Sequence, residues 1–256
     1  MTKELRGPIL GVTIAIVINA AMNAAGLSSL SFASLFPLML IFWFIQRLPR
    51  KSMGFALGGL QHYALALLHP LVIIGAIALI CLAAGVVDTS KTNWLSARND
   101  FISTVIISIP LAILTEEVFF RGWLHGSLQR AGMNEIKVMI WTGIAFSFWH
   151  IPAVSMNTED ALPLAQIPVL LISAAVIGAI WGMLRSISGS IIVTSVCHAV
   201  WNACVYVFFG FGNTVGALGV KQTTIYGPES GFLGLILNLI LAAVLWQWWK
   251  RRATPP

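Results

Sequence analysis

Leu114-Thr115-Glu116-Glu117-Val118-Phe119-Phe120-Arg121-Gly122 sets two adjacent carboxylates and a guanidinium inside an apolar run that extends from about residue 101 to 128. An ionised side chain at bilayer depth costs on the order of 2.5 to 3.5 kcal/mol on insertion scales, so residues of this kind face a protein interior and have a functional reason to be there. The composition around them decides the class. Of 256 residues, 58% are hydrophobic and 9% are charged, against about 25% charged in soluble domains. The chain reads as an integral membrane protein.

Working outward, apolar windows of roughly 20 residues give eight spans: 8 to 27, 31 to 46, 62 to 86, 101 to 128, 137 to 156, 164 to 184, 189 to 209 and 231 to 249. The run from 31 to 46 is short, and either a tilted crossing or a re-entrant segment fits it. The expected fold is all-α, a polytopic bundle of about eight transmembrane helices, forming one domain over 1–256 with a catalytic core at about 101–209. No separate soluble domain, internal repeat or cleavable signal peptide is read from the sequence.

The net charge of +6 does not indicate nucleic acid, because the 15 Lys and Arg lie between apolar runs and form no single basic patch. Their distribution reads as topology. The face that receives the N-terminus carries Lys3, Arg6, Arg47, Arg50, Lys51, Arg121, Arg130, Lys137, Arg185, Lys250, Arg251 and Arg252, whereas the other carries only Lys91, Arg98 and Lys221. By the positive-inside rule both termini are cytoplasmic and the number of spans is even. The expected location is a cell membrane, taken to be a bacterial inner membrane from the compact loops.

On the opposite face lie the turn at 26 to 31, the polar segment at 87 to 100, the acidic loop at 158 to 162 and a Gly-rich stretch from 210 to 231, read as a plain connector by its breakers. Gly178 and Gly182 form a GxxxG pair suited to close helix approach. Asn19 and Asn23, four apart, are expected to face the interior. Pro70, Pro110 and Pro152 are expected to kink or disturb their helices. Cys81, Cys197 and Cys204 have neither disulfide-framework nor zinc-knuckle spacing and read as small core residues.

Glu117 and Arg121 are four apart and share a helical face, so they can pair. In an α-helix Glu116 is turned about 100° from Glu117, which leaves it free for general acid or base work. The bland alternative is a structural ion-pair cluster near the interface. His150 closes Phe146-Ser-Phe-Trp-His150, and His198 and Asn202 stand one turn apart in His198-Ala-Val-Trp-Asn202. Counted to Arg130, Lys137 and Arg185, the residues Glu116, His150 and His198 lie 14, 13 and 13 positions away, at most roughly 20 Å of helix axis. They can meet at one level. Two carboxylates, two imidazoles and an amide suit activation of water, with Glu116 as base and His198 and Asn202 as donors to an oxyanion. His150, His198 and Glu116 holding zinc is the alternative. HExxH is absent, and no paired Ser or Cys nucleophile emerges. His62 and His69 read as structural, and His125 as an interfacial residue.

The ordered set Glu116-Glu117-x-x-x-Arg121, Phe146-x-x-x-His150 and His198-x-x-x-Asn202 resembles the CPBP intramembrane proteases, the CAAX protease and bacteriocin-processing (Abi) family. The resemblance implies about eight helices, a site opening toward the cytoplasm, Glu116 as water-activating carboxylate with His150 beside it, His198 and Asn202 at the oxyanion, and Glu117 and Arg121 in support. Members have been described both as metal-dependent and as glutamate-activated. The second reading is taken here, with no cofactor, and zinc is kept as the alternative. The expected activity is a CAAX prenyl protease-like endopeptidase acting on a membrane-associated peptide or protein, either prenylated CAAX-type or leader/bacteriocin-type. Its other partner is the lipid bilayer, and the oligomeric state is left open. A non-catalytic immunity factor or small transporter using the same polar cluster is the competing class.

Overall fold

The computed structural model describes residues 3–156 and 162–253. Apart from one isolated bridge between Phe55 and Ser190, the regular structure among the described residues is helical. Among the described residues, eight helices are long and apolar enough to cross a membrane: Arg6–Ala24, Ser28–Gln46, Leu60–Ala83, Trp94–Arg130, Glu135–Met156, Gln166–Ser188, Ile191–Phe209 and Phe232–Arg251. They are called the first to eighth spans. The protein is a multi-pass, all-α membrane protein. Of the acidic loop expected at 158 to 162, residues 158 to 161 lie outside the described residues.

The second span begins three residues before its expected start. Its first turns, Ser28–Ser34, are 3-10 helix, and Leu35–Gln46 continue as α-helix. At about 2.0 and 1.5 Å per residue these add to roughly 32 Å, the thickness of a hydrocarbon core. The short apolar run is therefore a full-length helix. The polar segment expected as a loop from 87 to 100 is helical from Trp94, because the Asn93 side chain accepts hydrogen bonds from the amides of Leu95 and Ser96 at 3.1 Å and caps the helix.

Close packing brings the site-bearing helices together. A Cβ on Gly143 would lie 2.5 Å from the Ala175 carbonyl oxygen, and one on Gly178 would lie 2.9 Å from Gly143 Cα. The fifth and sixth spans thus meet backbone to backbone, through Gly143 as well as the GxxxG pair. Gly143→Ala is expected to destabilise the protein by about 1–3 kcal/mol, since the obstructing atoms are backbone and cannot turn aside. Thermal denaturation in detergent measures it, and an unchanged midpoint would contradict this packing. Asn19 and Asn23 face inward as expected: Asn19 Nδ2 donates to the Trp149 carbonyl at 2.5 Å and Asn23 Nδ2 to Asn19 Oδ1 at 2.7 Å. The first span therefore holds the backbone one residue before His150. The helices run on through Pro70, Pro110 and Pro152. All three cysteines are free and buried.

Candidate active site

The fourth span departs from α-helix where its charges lie. Ile113–Leu124 is π-helical, starting three residues beyond Pro110, between α-helical Trp94–Ala112 and His125–Arg130. The i→i+5 register turns successive residues through a smaller angle than an α-helix does, and such segments are frequent at functional sites. Glu116 and Glu117 are therefore less divergent than α-helical geometry predicts. Both reach His198: Nδ1 lies 3.1 Å from Glu117 Oε1 and Nε2 lies 3.8 Å from Glu116 Oε2.

Glu117 and Arg121 do pair, at 3.0 Å, and both are 0% exposed. Arg121 also donates to the Gly178 carbonyl at 3.4 Å, and its guanidinium carbon lies 4.3 Å from the centre of the Phe146 ring. Arg185 is buried too, and its Nε donates to the Arg121 carbonyl at 3.0 Å while Nη2 donates to the Ser52 carbonyl at 3.0 Å. The Arg121 cation is held by one carboxylate, the Gly178 carbonyl and an aromatic face, which makes its burial tolerable.

Hydrogen bonding fixes where the imidazole protons sit. An ionised carboxylate only accepts, so His198 Nδ1 donates to Glu117, and the Phe146 carbonyl likewise takes the His150 Nδ1–H at 2.8 Å. In the neutral state both rings therefore present an Nε2 lone pair. With Nδ1 committed to Glu117, His198 acts as an oxyanion donor through Nε2 only when both ring nitrogens carry hydrogen.

Glu116, His150, His198 and Asn202 line one cavity of about 110 Å³ together with Trp181, Tyr206, Phe211 and Glu229. A volume of this order holds several waters. The four residues singled out in the sequence thus converge, and Glu117 with Arg121 forms the packed layer beneath them. Among the described residues no group of three or more His, Cys, Asp or Glu side chains is arranged to hold a metal ion. Free Nε2 atoms on two histidines suit zinc chemically, but Glu116, His150 and His198 do not form a ready three-ligand set.

Glu229 was not legible as a site residue. It is the only acid in the Gly-rich stretch from 210 to 231, and that isolation was the one available signal. The stretch is more than a connector. Gly210 has φ 81° and a Cβ there would lie 2.0 Å from the Thr214 carbonyl oxygen, so only glycine allows the chain to fold back. The return is pinned by Leu218 N to Phe208 O at 2.9 Å and Asp88 N to Leu218 O at 3.0 Å. Beyond it, Trp201 Nε1 donates to Glu229 Oε1 at 2.5 Å.

Burial pushes the Glu229 carboxyl above its ordinary range, against the lowering effect of the Trp201 bond. A raised folded-state pKa means the native protein binds more protons than the unfolded chain as pH rises above the ordinary carboxyl range, so stability falls with pH until the raised value is passed. Glu229→Gln keeps the acceptor for Trp201 and is expected to remove that loss. Melting midpoints across acid to neutral pH check this, and parallel curves for the two proteins would contradict it.

The other histidines are structural in their contacts. His69 Nε2 lies 2.9 Å from Asn238 Oδ1, Trp181 Nε1 donates to its Nδ1 at 3.2 Å, and its ring stacks on Trp201 at 4.6 Å. His62 Nδ1 accepts from the Gly59 amide at 3.0 Å, closing the start of the third span. His125, read as interfacial, is buried within the protein and its Nε2 lies 3.8 Å from Glu135 Oε2.

No curated protein matches the chain. Residues 98–204, less than half of the chain, match the family model described as type II CAAX prenyl endopeptidase Rce1-like. Glu116, His150, His198 and Asn202 all fall inside the matched segment, so the similarity to that family covers the four residues that line the cavity.

Proposed function

We propose that the protein is an intramembrane endopeptidase of the CAAX-protease type that hydrolyses a peptide bond of a membrane-associated peptide or protein with water activated by Glu116. The observation that carries this reading is the convergence of Glu116, His150, His198 and Asn202 on one small cavity. Glu116 takes a proton from water as the oxygen attacks the scissile carbonyl carbon, and His150 Nε2 accepts the water's second hydrogen and fixes its direction. The carbonyl π pair moves onto oxygen. Asn202, which lines the same cavity, offers its amide hydrogens to that oxyanion, joined by His198 Nε2 when it carries a hydrogen. Glu116 then passes the proton to the departing nitrogen as the C–N bond breaks. Prenylated CAAX-type and leader-type peptides are both substrates to be tested.

The test is cleavage of such peptides by protein purified in lipid or detergent. Activity is expected with wild type and its loss with folded His150→Ala, whereas a folded His150→Ala enzyme that cuts as fast as wild type would sink the assignment in favour of a binding or immunity role. Chelator-treated protein, shown by elemental analysis to be metal-free, is expected to keep cutting. Loss of activity restored by zinc would instead place Glu116, His150 and His198 around a metal.

A further inference from the structure

We propose that Glu229 is a further catalytic residue: its carboxylic acid, seated on Trp201 at the cavity, donates its O–H hydrogen to the oxyanion that forms at the scissile carbonyl. The inference rests on the reading of this cavity as a hydrolytic site and adds to it a donor from outside the three sequence motifs.

The cavity needs a donor that those motifs do not fully supply. An oxyanion is stabilised by preorganised donors aimed at the oxygen where charge develops, and Asn202 brings one amide group there. His198 gives its Nδ1 hydrogen to Glu117, so its neutral ring presents a lone pair on Nε2 rather than a hydrogen. Glu229 lines the same cavity as Asn202 and His198. With Glu116 engaged as the base, Glu229 is the second acid at the site.

Its position is fixed from both ends. Trp201 Nε1 donates to Glu229 Oε1 at 2.5 Å. The indole is itself held: it is fully buried and lies flat on the His69 ring, 4.6 Å between centres and 9° between planes, while His69 Nε2 is 2.9 Å from Asn238 Oδ1. Trp201 directly precedes Asn202 in the helix Ile191–Ala203, so one helical turn places both the amide and the seat of the acid. The backbone of Glu229 belongs to a closed turn, in which Gly227 N donates to Thr223 O at 2.8 Å and Gly231 N to Gly227 O at 3.0 Å. At the base of that turn, Gln166 Nε2 ties the hydroxyls of Thr223 and Thr224 to the start of the sixth span, at 3.1 and 2.8 Å. The acid is therefore preorganised, which is the condition for a donor of this kind to act.

The indole bond also decides which oxygen carries the hydrogen. An indole N–H only donates, so Oε1 is the acceptor and the hydrogen of the neutral acid is on Oε2. Burial favours that neutral form, as does Glu116, against the Trp201 bond and His198. Seating the indole requires only an acceptor oxygen. What a neutral acid adds is an O–H, and a carboxylic acid kept neutral is a strong donor to an oxyanion. No proton is consumed, because the hydrogen is shared with the oxyanion while the tetrahedral centre lasts and stays on Oε2 when the carbonyl re-forms. Glu116 still carries the one transferred proton from water to nitrogen. Ionised Glu229 places a negative charge at the site instead and opposes the oxyanion.

Peptide cleavage against pH by wild type, Glu229→Gln and Glu229→Ala tests this, with the fold of each checked by thermal denaturation. Glu229→Ala is expected to lower kcat by about 10²-fold, the low end for loss of one oxyanion donor, with little change in KM. Glu229→Gln keeps an acceptor for Trp201 and offers a weaker amide donor, so its loss is expected to be smaller. The other titratable side chains lining the cavity are Glu116, His150, His198 and Tyr206, and both variants keep them. Wild-type kcat is expected to fall on the alkaline side as Glu229 ionises, and in Glu229→Gln that fall is expected to move to higher pH. A fall at the same pH in both proteins, a Glu229→Gln that loses as much as Glu229→Ala, or a folded Glu229→Ala with wild-type kcat would overturn the proposal. Should Glu229→Ala not fold, the Glu229→Gln profile decides. Infrared difference spectra of wild type against Glu229→Gln need no turnover: at neutral pH wild type is expected to show the carbonyl stretch of a protonated carboxyl, and a carboxylate band in its place would overturn the proposal. A protein with the protonated band that cuts no peptide refutes the hydrolytic reading itself, whereas one that cuts peptides with Glu229 ionised refutes only this inference.

Discussion

Glu116→Gln is expected to lower kcat for peptide cleavage by about 10² to 10⁴-fold, the range ascribed to a positioned general base, with a nearly unchanged melting midpoint. The side chain is 18% exposed, and its closest polar contact among those described is His198 Nε2 at 3.8 Å, beyond hydrogen-bond distance. The amide keeps the shape and an acceptor oxygen but cannot take a proton from water. Folding therefore loses almost nothing while the first step loses its base. Glu116→Ala is expected to give the same loss of rate. Peptide cleavage measured beside thermal denaturation in the same detergent decides the matter, and a folded Glu116→Gln enzyme with wild-type kcat would remove Glu116 from the mechanism.

The largest expected effect on stability is at its neighbour. Glu117→Ala leaves Arg121 charged, fully buried and without its carboxylate, which costs about 3–5 kcal/mol when a buried pair is broken from one side. It also deprives His198 Nδ1 of its acceptor. The Phe146 face and the Gly178 carbonyl remain, but neither supplies a negative charge. Glu117→Ala is expected to fold poorly or melt far below wild type. The double variant Glu117→Gln with Arg121→Met removes both charges at similar volume and is expected to recover much of that stability. Recovery of the fold without recovery of cleavage would show that the pair also positions His198. A double variant no more stable than Glu117→Ala would mean that the charges themselves are not what the fold depends on.

These two adjacent acids show how far residue spacing carries. That Glu117 pairs with Arg121 follows from an i, i+4 relation, and it holds in the structure even though the helix there is π. That Glu116 and Glu117 flank the same imidazole does not follow, because it depends on the wider register beginning beyond Pro110. Likewise Gly178 and Gly182 signalled a close helix contact from one chain segment, whereas their partner Gly143 has no motif of its own. Glu229 lies outside the segment from 101 to 209 expected to hold the catalytic core, and only the fold-back at Gly210 brings it to the cavity.

Apolar run lengths determined the eight helices, because a bilayer demands about 20 apolar residues per crossing whatever the packing between them. Local spacing determined the Glu117 and Arg121 pair, and the ordered motifs singled out the residues that line the cavity. Tertiary structure decided what those residues face. It set His198 between both carboxylates, docked the segment from Arg50 to Ala56 against the helices, and brought Glu229 of a loop to the cavity. Such contacts join positions up to more than a hundred residues apart, as with Asn19 and Trp149, and no local period encodes them.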